Sequence, residues 1–318
     1  MRVLVAYDGS ACADAATVDL RRAGMPKDTE VLVLCVVDAG RPPASGSDFP
    51  AEASHPPSKT DLDEGRALAN TACKWIRSNF PDWEVTTQVL WGPPASVILE
   101  KARSWHPDLL IVGSHGRSLA GRILLGSVSQ KVLQEAPCSV RVVRAGVQSD
   151  SEPIRIVVGS DGSTEAEGVI QEVRRRSWPN GTEVRIVSVV ETIVPVVSAL
   201  EANVYAAVPA LAVIQDSDDR HRARIGAASQ GSHASLHGTG LIVTEVVVEG
   251  DPKRELVADA VRWNADAIFV GARGLGRLEK VLLGSVSSSV FKHAHCAVEV
   301  VRRNPGTEKE SDSSAPSS

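Results

Sequence analysis

Short runs of aliphatic and β-branched residues recur along the chain and alternate with longer segments of mixed polarity. In the first half these apolar runs are residues 2–7, 31–37, 85–90, 109–112 and 139–143. Each has the length of a strand, and strands that alternate with helix-length segments favour βαβ units. We therefore predict a parallel sheet that is covered by helices on both faces.

The segments between these runs carry helix signals. Residues 63–80 repeat apolar side chains at helical spacing, namely Leu68, Ala72, Trp75, Ile76 and Phe80. Pro93 and Pro94 stand where a further helix would begin, because proline is well tolerated in a first helical turn. Residues 39–60 are rich in proline, serine and alanine and predict a loop.

The second half of the chain repeats the first. RVLVAYDGS (2–10) matches RIVVGSDGS (155–163), and DLLIVGSHG (108–116) matches DAIFVGARG (266–274). The offset between the copies rises from 153 to 158 residues, which places a net insertion between the second and third strands of the second copy. We predict two tandem open, doubly wound sheets of five strands, in domains 1–145 and 154–303, with a disordered tail at 304–318.

Composition argues against several classes of partner and compartment, although a local basic patch would still be compatible with it. The net charge of −5 gives no general attraction for nucleic acid or for an anionic membrane. The apolar run at the start is too short for a signal peptide, and the apolar segment 192–214 is interrupted by proline and polar residues. Five scattered cysteines without a C-x-x-C predict reduced, mostly buried thiols in a cytoplasmic protein.

A glycine block occurs at the same place in both copies. The first copy reads G-x2-G-x9-G-S from Gly113 and the second reads the same from Gly271, and LLGSVSQKVL agrees with LLGSVSSSVF at seven of ten positions. In a single copy, turns and helix caps would explain such glycines equally well. Its occurrence in both copies favours a binding role.

The position of this block within the predicted fold indicates what it binds. Gly113 directly follows an apolar strand, so its loop lies at the carboxyl end of the sheet, where open α/β folds bind ligands. With strand order 3-2-1-4-5, the order reverses between the first and fourth strands, and the first strand leads into Asp8. Gly126-Ser127 then opens a helix, whose N–H groups suit an anion such as phosphate. Neither a Walker A loop nor a G-x-G-x-x-G fingerprint is present.

These motifs resemble those of tandem universal stress proteins, over residues 1–144 and 154–302. The G-x2-G-x9-G-[ST] block is the signature of that family's ATP-binding branch. The resemblance implies an α/β fold with one ATP site per domain and Mg²⁺ or Mn²⁺ on the phosphates. The implied nucleotide-binding residues are Asp8, Val36, Gly113, Gly116, Gly126, Ser127 and Val128 in the first copy, and Asp161, Val189, Gly271, Gly274, Gly284, Ser285 and Val286 in the second.

The resemblance also carries expectations about association. The strands CSVRVVR and CAVEVVR would pair the two domains edge to edge as a pseudo-dimer, and two chains would form a homodimer. The segment 192–214 would be either the surface for that association or a lid over the second site. His115 is interpreted as a loop residue in preference to a phosphate ligand, and Arg117 and Arg273 as solvated in preference to site charges.

The resulting interpretation is a nucleotide-dependent stress-response sensor or adaptor with slow or no ATP hydrolysis. One alternative is an ATPase or adenylyl-transferring enzyme, but the chain lacks S-G-G-x-D-S, H-I-G-H and K-M-S-K-S motifs. The other is an interaction scaffold that binds no nucleotide. Neither the H-x-x-x-H at His233 nor the H-x-H at His293 has the accompanying ligands of a zinc site.

Overall fold

The structure is a computed structural model that describes residues 1–38, 57–116, 126–146, 153–191, 235–236, 238–273 and 283–302. The chain divides into two compact units. Unit 1 comprises residues 1–148 together with 299–318, and unit 2 comprises residues 149–298.

Unit 1 alternates strands and helices throughout its described part. Its elements are β1 (Arg2–Ala6), α1 (Ala11–Asp19), β2 (Glu30–Val37), α2 (Lys59–Asn79), β3 (Glu84–Trp91), α3 (Pro94–Trp105), β4 (Leu109–Gly113), α4 (Ser127–Glu135) and β5 (Ser139–Val143). All five predicted strands are confirmed to within one residue at each end. The helix predicted over 63–80 is α2, and α3 begins at Pro94 as predicted.

Unit 2 repeats this order. Its elements are β6 (Arg155–Ser160), α5 (Thr164–Arg174), β7 (Glu183–Val190), β8 (Ile242–Glu249), α6 (Pro252–Arg262), β9 (Ala267–Gly271), α7 (Ser285–His293) and the start of β10 (Ala297–Val301). The residues of β10 from Glu299 onward belong to unit 1. The place of an α2 counterpart lies outside the described residues.

The strand order within each unit is the predicted one. In unit 1 the strand order is β3-β2-β1-β4-β5 and every neighbouring pair is parallel. In unit 2 the order β8-β7-β6-β9 is likewise parallel, and β10 follows β9. The strand order therefore reverses between β1 and β4 in one unit and between β6 and β9 in the other.

The buried face of α2 differs slightly from the predicted one. The residues it buries are Gly65, Ala69, Ala72, Cys73 and Ile76. Leu68 and Trp75 lie at the edge of this stripe and are half-buried. Small side chains occupy its centre because the helix approaches the sheet closely: a Cβ on Gly65 would lie 3.0 Å from Val89 Cγ1 and 3.1 Å from Val37 Cγ2.

Equivalent residues of the two units adopt the same backbone conformation and make the same hydrogen bonds. His106 and Asn264, which follow the equivalent helices α3 and α6, both adopt left-handed backbone conformations, with φ of 51° and 52°. The amide of Arg2 donates to Asp108 Oδ2 at 2.8 Å, and the amide of Arg155 donates to Asp266 Oδ2 at the same distance. The duplication therefore preserves hydrogen bonds as well as elements.

Several predictions concern residues outside the described ranges. These are residues 39–56 of the predicted loop 39–60, the segment 192–214, the tail 304–318, Arg117 and Gly274. The last two residues of that predicted loop, 59–60, instead begin α2, which Ser58 caps. Within the described part of the chain, no helix combines the length and the apolar character needed to cross a membrane. None of the five cysteines forms a disulfide; four are buried and Cys296 is half-buried.

Candidate functional site

The first part of the site in unit 1 is the turn that leads from β1 into α1. Gly9 has a φ of 73°, a left-handed conformation that glycine adopts without strain. This turn lets Asp8 Oδ1 accept a hydrogen bond from the amide of Ser10 at 3.0 Å. Ser10 then caps α1 by accepting from the amide of Ala13 at 3.2 Å. The Asp8 carboxylate is thereby held at the carboxyl end of the sheet, and its residue is half-buried.

The loop after β4 lies directly against this turn. A Cβ on Gly116 would lie 2.9 Å from Asp8 Oδ2, and a Cβ on Gly113 would lie 2.8 Å from the carbonyl carbon of Cys12. Ser10 Oγ donates to the carbonyl of His115 at 3.2 Å and so ties the loop to the start of α1. The structure therefore brings Asp8 and the glycine loop together, as the topology predicts.

The N-terminus of α4 completes this constellation. The amide of Gly126 donates to the carbonyl of Ser114 at 2.9 Å, which places the helix start beside the loop. The amides of the first helical turn have no acceptor within the helix, so the helix presents donors and a positive dipole end there. Ser127 at this end is exposed and Val128 is half-buried. This geometry is suited to bind an anion.

Gly126 lies where the loop after β4 meets the start of α4. Its φ of −65° is open to any residue, and a Cβ there would point back at the Ser114 carbonyl, 3.2 Å away. The glycine therefore allows the loop to pack beneath the helix N-terminus.

Val36 lies on β2 beyond the end of β1. Ala6 is the last residue of β1 and pairs with Leu34, whose carbonyl accepts from the amide of Tyr7 at 2.9 Å. In a parallel sheet alternate residues direct their backbone groups to the same neighbour. The N–H and C=O of Val36 are therefore directed to the side on which β1 has already ended, beside the turn that carries Asp8.

His115 turns its ring back into the loop. Its Nδ1 lies 3.0 Å from Ser114 Oγ, and its Nε2 is buried and has no hydrogen-bond partner in the described part of the chain. Burial lowers the pKa of His115 below its ordinary value, and the charge of Arg144 lowers this pKa further. The ring is thus neutral at pH 7 and engages the loop through Nδ1.

Unit 2 reproduces most of this arrangement. Gly162 has a φ of 71°, and Asp161 Oδ1 accepts from the amide of Ser163 at 3.0 Å. The amide of Gly284 donates to the carbonyl of Ala272 at 2.7 Å, so the N-terminus of α7 lies beside the loop after β9. At that end Ser285 is exposed and Val286 half-buried, whereas Val189 at the end of β7 is buried. Gly271 packs against its own loop: a Cβ there would lie 3.0 Å from the carbonyl oxygen of Arg273.

The two sites differ in side chains around the loop. Cys12, Ser114 and His115 of unit 1 are replaced by Glu165, Ala272 and Arg273 in unit 2. Cys12 and Ser114 are buried, and their side-chain atoms Sγ and Oγ lie 3.5 Å apart. Glu165 and Arg273 are exposed. Unit 2 therefore presents charged groups where unit 1 presents a buried neutral cluster.

Two pairs of serines shape the sites without having been predicted to do so. Ser129 Oγ donates to the carbonyls of Ser114 and Gly126, at 3.0 Å and 2.8 Å, and locks the loop to the first turn of α4. Its repeat equivalent Ser287 donates to the carbonyl of Gly271 at 2.6 Å. Ser10 and its equivalent Ser163 cap α1 and α5. The sequence signal that could have indicated their role is that serine occupies both positions in both copies.

The described residues of the site do not form a set of metal ligands. No cluster of three His, Cys, Asp or Glu within the described ranges could hold a metal ion. Backbone amides, hydroxyls and one carboxylate are the groups that the site itself supplies.

Fold and site together define a class of protein. Each unit is a doubly wound α/β domain, and unit 1 combines an acidic turn, a glycine loop and a helix N-terminus at its topological switch point. The sequence model of the universal stress protein family matches residues 1–144 and again residues 154–302. The chain belongs to the universal stress protein family, as a tandem of two such domains.

Individual relatives agree with this assignment. A universal stress protein of Mycobacterium tuberculosis is 27% identical over 247 residues, which cover 76% of this chain and 78% of the relative. The crystal structure of a universal stress protein from Archaeoglobus fulgidus covers 95% of this chain and 96% of its own, at 23% identity and a TM-score of 0.57, which supports the fold. A universal stress protein solved in complex with cAMP covers 48% of this chain at a TM-score of 0.34, too slight a likeness to transfer its ligand.

Proposed function

We propose that this protein binds ATP in each unit and acts as a nucleotide-dependent sensor or adaptor in a stress response. The observation that carries the proposal is the convergence of Asp8, Gly116 and the N-terminus of α4 at the carboxyl ends of β1 and β4. A carboxylate suits ribose hydroxyls or a base amine, and helix amides suit phosphates. The backbone edge of Val36 lies on the same side and suits the edge of adenine.

The proposed binding residues have distinct tasks. In unit 1, Asp8 orients the nucleoside, Val36 contacts adenine, and Gly113, Gly116, Gly126, Ser127 and Val128 surround ribose and phosphates. In unit 2 the corresponding residues are Asp161, Val189, Gly271, Gly274, Gly284, Ser285 and Val286. Where Mg²⁺ or Mn²⁺ accompanies the nucleotide, the phosphates supply its ligands.

We expect binding to be accompanied by slow hydrolysis or none. The residues that begin α4, 126–129, are glycine, serine and valine, which can hold phosphates but cannot act as a general base at neutral pH. The Asp8 carboxylate already accepts the Ser10 amide, which suits a positioning role. A signalling output would then come from a change in association when the nucleotide binds. A cytoplasmic location and a homodimer of chains are further parts of this proposal.

Isothermal titration calorimetry with ATP and Mg²⁺ tests the proposal on the full chain. The wild type is expected to bind two nucleotides, and Asp8→Asn and Asp161→Asn each weaken one site by about 10- to 100-fold, the effect of losing a charged hydrogen-bond partner. Asp63→Asn is the control, because Asp63 is exposed and pairs with Arg66 on the surface of α2. Binding unaffected by either site variant, or no binding by the wild type, would contradict the proposal and favour a scaffold.

A further inference from the structure

A buried charge cluster lies in unit 1 away from the proposed nucleotide site. Arg141 of β5 is fully buried. Its Nε and Nη2 donate to Asp19 Oδ2 and Oδ1 at 2.5 Å and 3.2 Å, and its Nη1 donates to Glu299 Oε2 at 3.2 Å. Asp19 and Glu299 are buried as well. Burial opposes the charge, but the two carboxylates outweigh it and raise the pKa of Arg141.

Arg141 and Glu299 occupy equivalent places in the repeat. They are the fourth residues of CSVRVVR and CAVEVVR and are 158 residues apart, the offset of that part of the duplication. The position has therefore acquired opposite charges in the two copies. Because an uncompensated buried charge is costly, Glu299 depends on Arg141, whereas Arg141 is paired with Asp19 as well.

The charged residues on the helices that face these strands also differ between the two units. Asp19 corresponds to Glu172, which is buried and pairs with Arg176 Nη2 at 2.7 Å and with Arg175 on the same helix. The residue at the place of Arg176 in unit 1 is Ala23, which carries no charge. Asp19 is instead neutralised by the strand arginine, Arg141. Unit 2 thus pairs its helix acid with two arginines at the end of the same helix, whereas unit 1 keeps only Arg22, at the place of Arg175, and pairs Asp19 with a strand arginine that also binds Glu299.

The terminal segment Glu299–Arg302 is held in unit 1 at its other end too. The amide of Arg302 donates to Ser139 Oγ at 3.0 Å. Its guanidinium donates to the carbonyl of Cys138 at 3.4 Å and also to the carbonyl of Leu133. Glu299 and Arg302 therefore fix both ends of a four-residue segment to one edge of the unit.

We propose that the Arg141–Glu299 pair is a specificity device, which reserves this edge of unit 1 for the chain's own terminal segment and excludes the same edge of a second copy. A second copy that presented its own 139–143 strand would bring one Arg141 against another, each still paired with its own Asp19 but without the carboxylate that Glu299 supplies. Like charges brought together in a buried interface oppose association and so select the complementary partner.

Stability measurements on the full chain are the first test. Glu299→Gln keeps the shape and removes the charge, and we expect the folding equilibrium constant of unit 1 to fall about 10- to 100-fold. Glu299→Arg places two cations together and should lower it further. The matched control is Glu30→Gln, because the Arg2–Glu30 pair is about 40% exposed at both side chains and should contribute little. Equal stability of the three variants in urea titrations would overturn the proposal.

Complementation separates specificity from a merely structural ion pair. Arg141→Glu and Glu299→Arg are each mismatched within one chain, but the two variants are complementary to each other. When differently tagged chains are co-expressed, we expect these two variants to co-purify in equal amounts and above the level that wild-type chains reach through their own homodimer. Co-purification no higher than that of wild type, or insoluble protein in co-expression as well as alone, would show that the charges do not choose the partner.

Discussion

Replacement of Gly113 by alanine should destabilise the protein more than the same replacement at Gly271, its repeat equivalent. A Cβ at Gly113 would lie 2.8 Å from both the carbonyl carbon and Cβ of Cys12 and 2.9 Å from the amide nitrogen of Ala13. Carbon atoms prefer separations of about 3.5–4.0 Å, so the first turn of α1 would have to move by several tenths of an ångström or more. At Gly271 the nearest atom is the carbonyl oxygen of Arg273 at 3.0 Å.

The expected cost follows from what must move. In unit 1 the obstacle is backbone that Ser10 fixes to the loop, so Gly113→Ala should cost about 1–3 kcal/mol, the usual range for overpacking. Gly271→Ala should cost about 1 kcal/mol or less, because its closest contact lies within the same loop and the Glu165 side chain is exposed. Urea unfolding at 25 °C, followed by circular dichroism, gives both values. An equal or smaller loss at Gly113 would refute the inference that α1 packs on this glycine.

Three further predictions concern single side chains. His115→Gln should flatten the pH dependence of stability. Because the folded-state pKa of His115 is lowered, the free energy of unfolding of the wild type falls as pH drops below about 6.5. The variant should lose less of this free energy between pH 7 and 5 in the same urea assay. Burial raises the pKa of Cys138 to about 12, so its thiol should react slowly with alkylating reagents. After native protein is treated with iodoacetamide, mass spectrometry should find Cys138 unmodified and the half-buried Cys296 modified. Rapid labelling of Cys138 would contradict this. Ser129→Ala should weaken ATP binding in calorimetry and lower the free energy of unfolding by about 1 kcal/mol. The reason is that the loop loses its hydrogen bond from the Ser129 hydroxyl in the first turn of α4. Unchanged affinity would show that this hydrogen bond does not position the site.

The strands, the strand order and the starts of α3 and α4 were predictable because they depend on local pattern and on the duplication. The apolar run before Gly113 predicts β4, and Pro94 predicts the start of α3. The meeting of Asp8 with the glycine loop followed from topology, because the carboxyl ends of adjacent parallel strands share one edge. The capping box of α2, in which Ser58 and Asp61 exchange hydrogen bonds, was visible as S-x-x-D but was not recognised.

Features that depend on contacts between distant residues were not predictable. Arg141 reads as an ordinary polar residue in an apolar strand, and its role appears only when Asp19, 122 residues away, and Glu299, 158 residues away, lie beside it. The packing of Gly126 against the Ser114 carbonyl was not predictable for the same reason, because the direction of its missing Cβ depends on the path of the preceding loop. Sequence patterns specify helices and strands, whereas contacts between distant residues depend on how those helices and strands pack against one another.

The most direct test of the central claim is the nucleotide content of the protein as purified. Denaturing the full chain, separating the released small molecules by chromatography and quantifying them against protein gives a number of nucleotides per chain. The account predicts about two adenine nucleotides per chain, with ATP as the main species, or two sites that fill on addition of ATP and Mg²⁺. No released nucleotide together with no binding in calorimetry would contradict it and leave a stress protein that acts without a nucleotide.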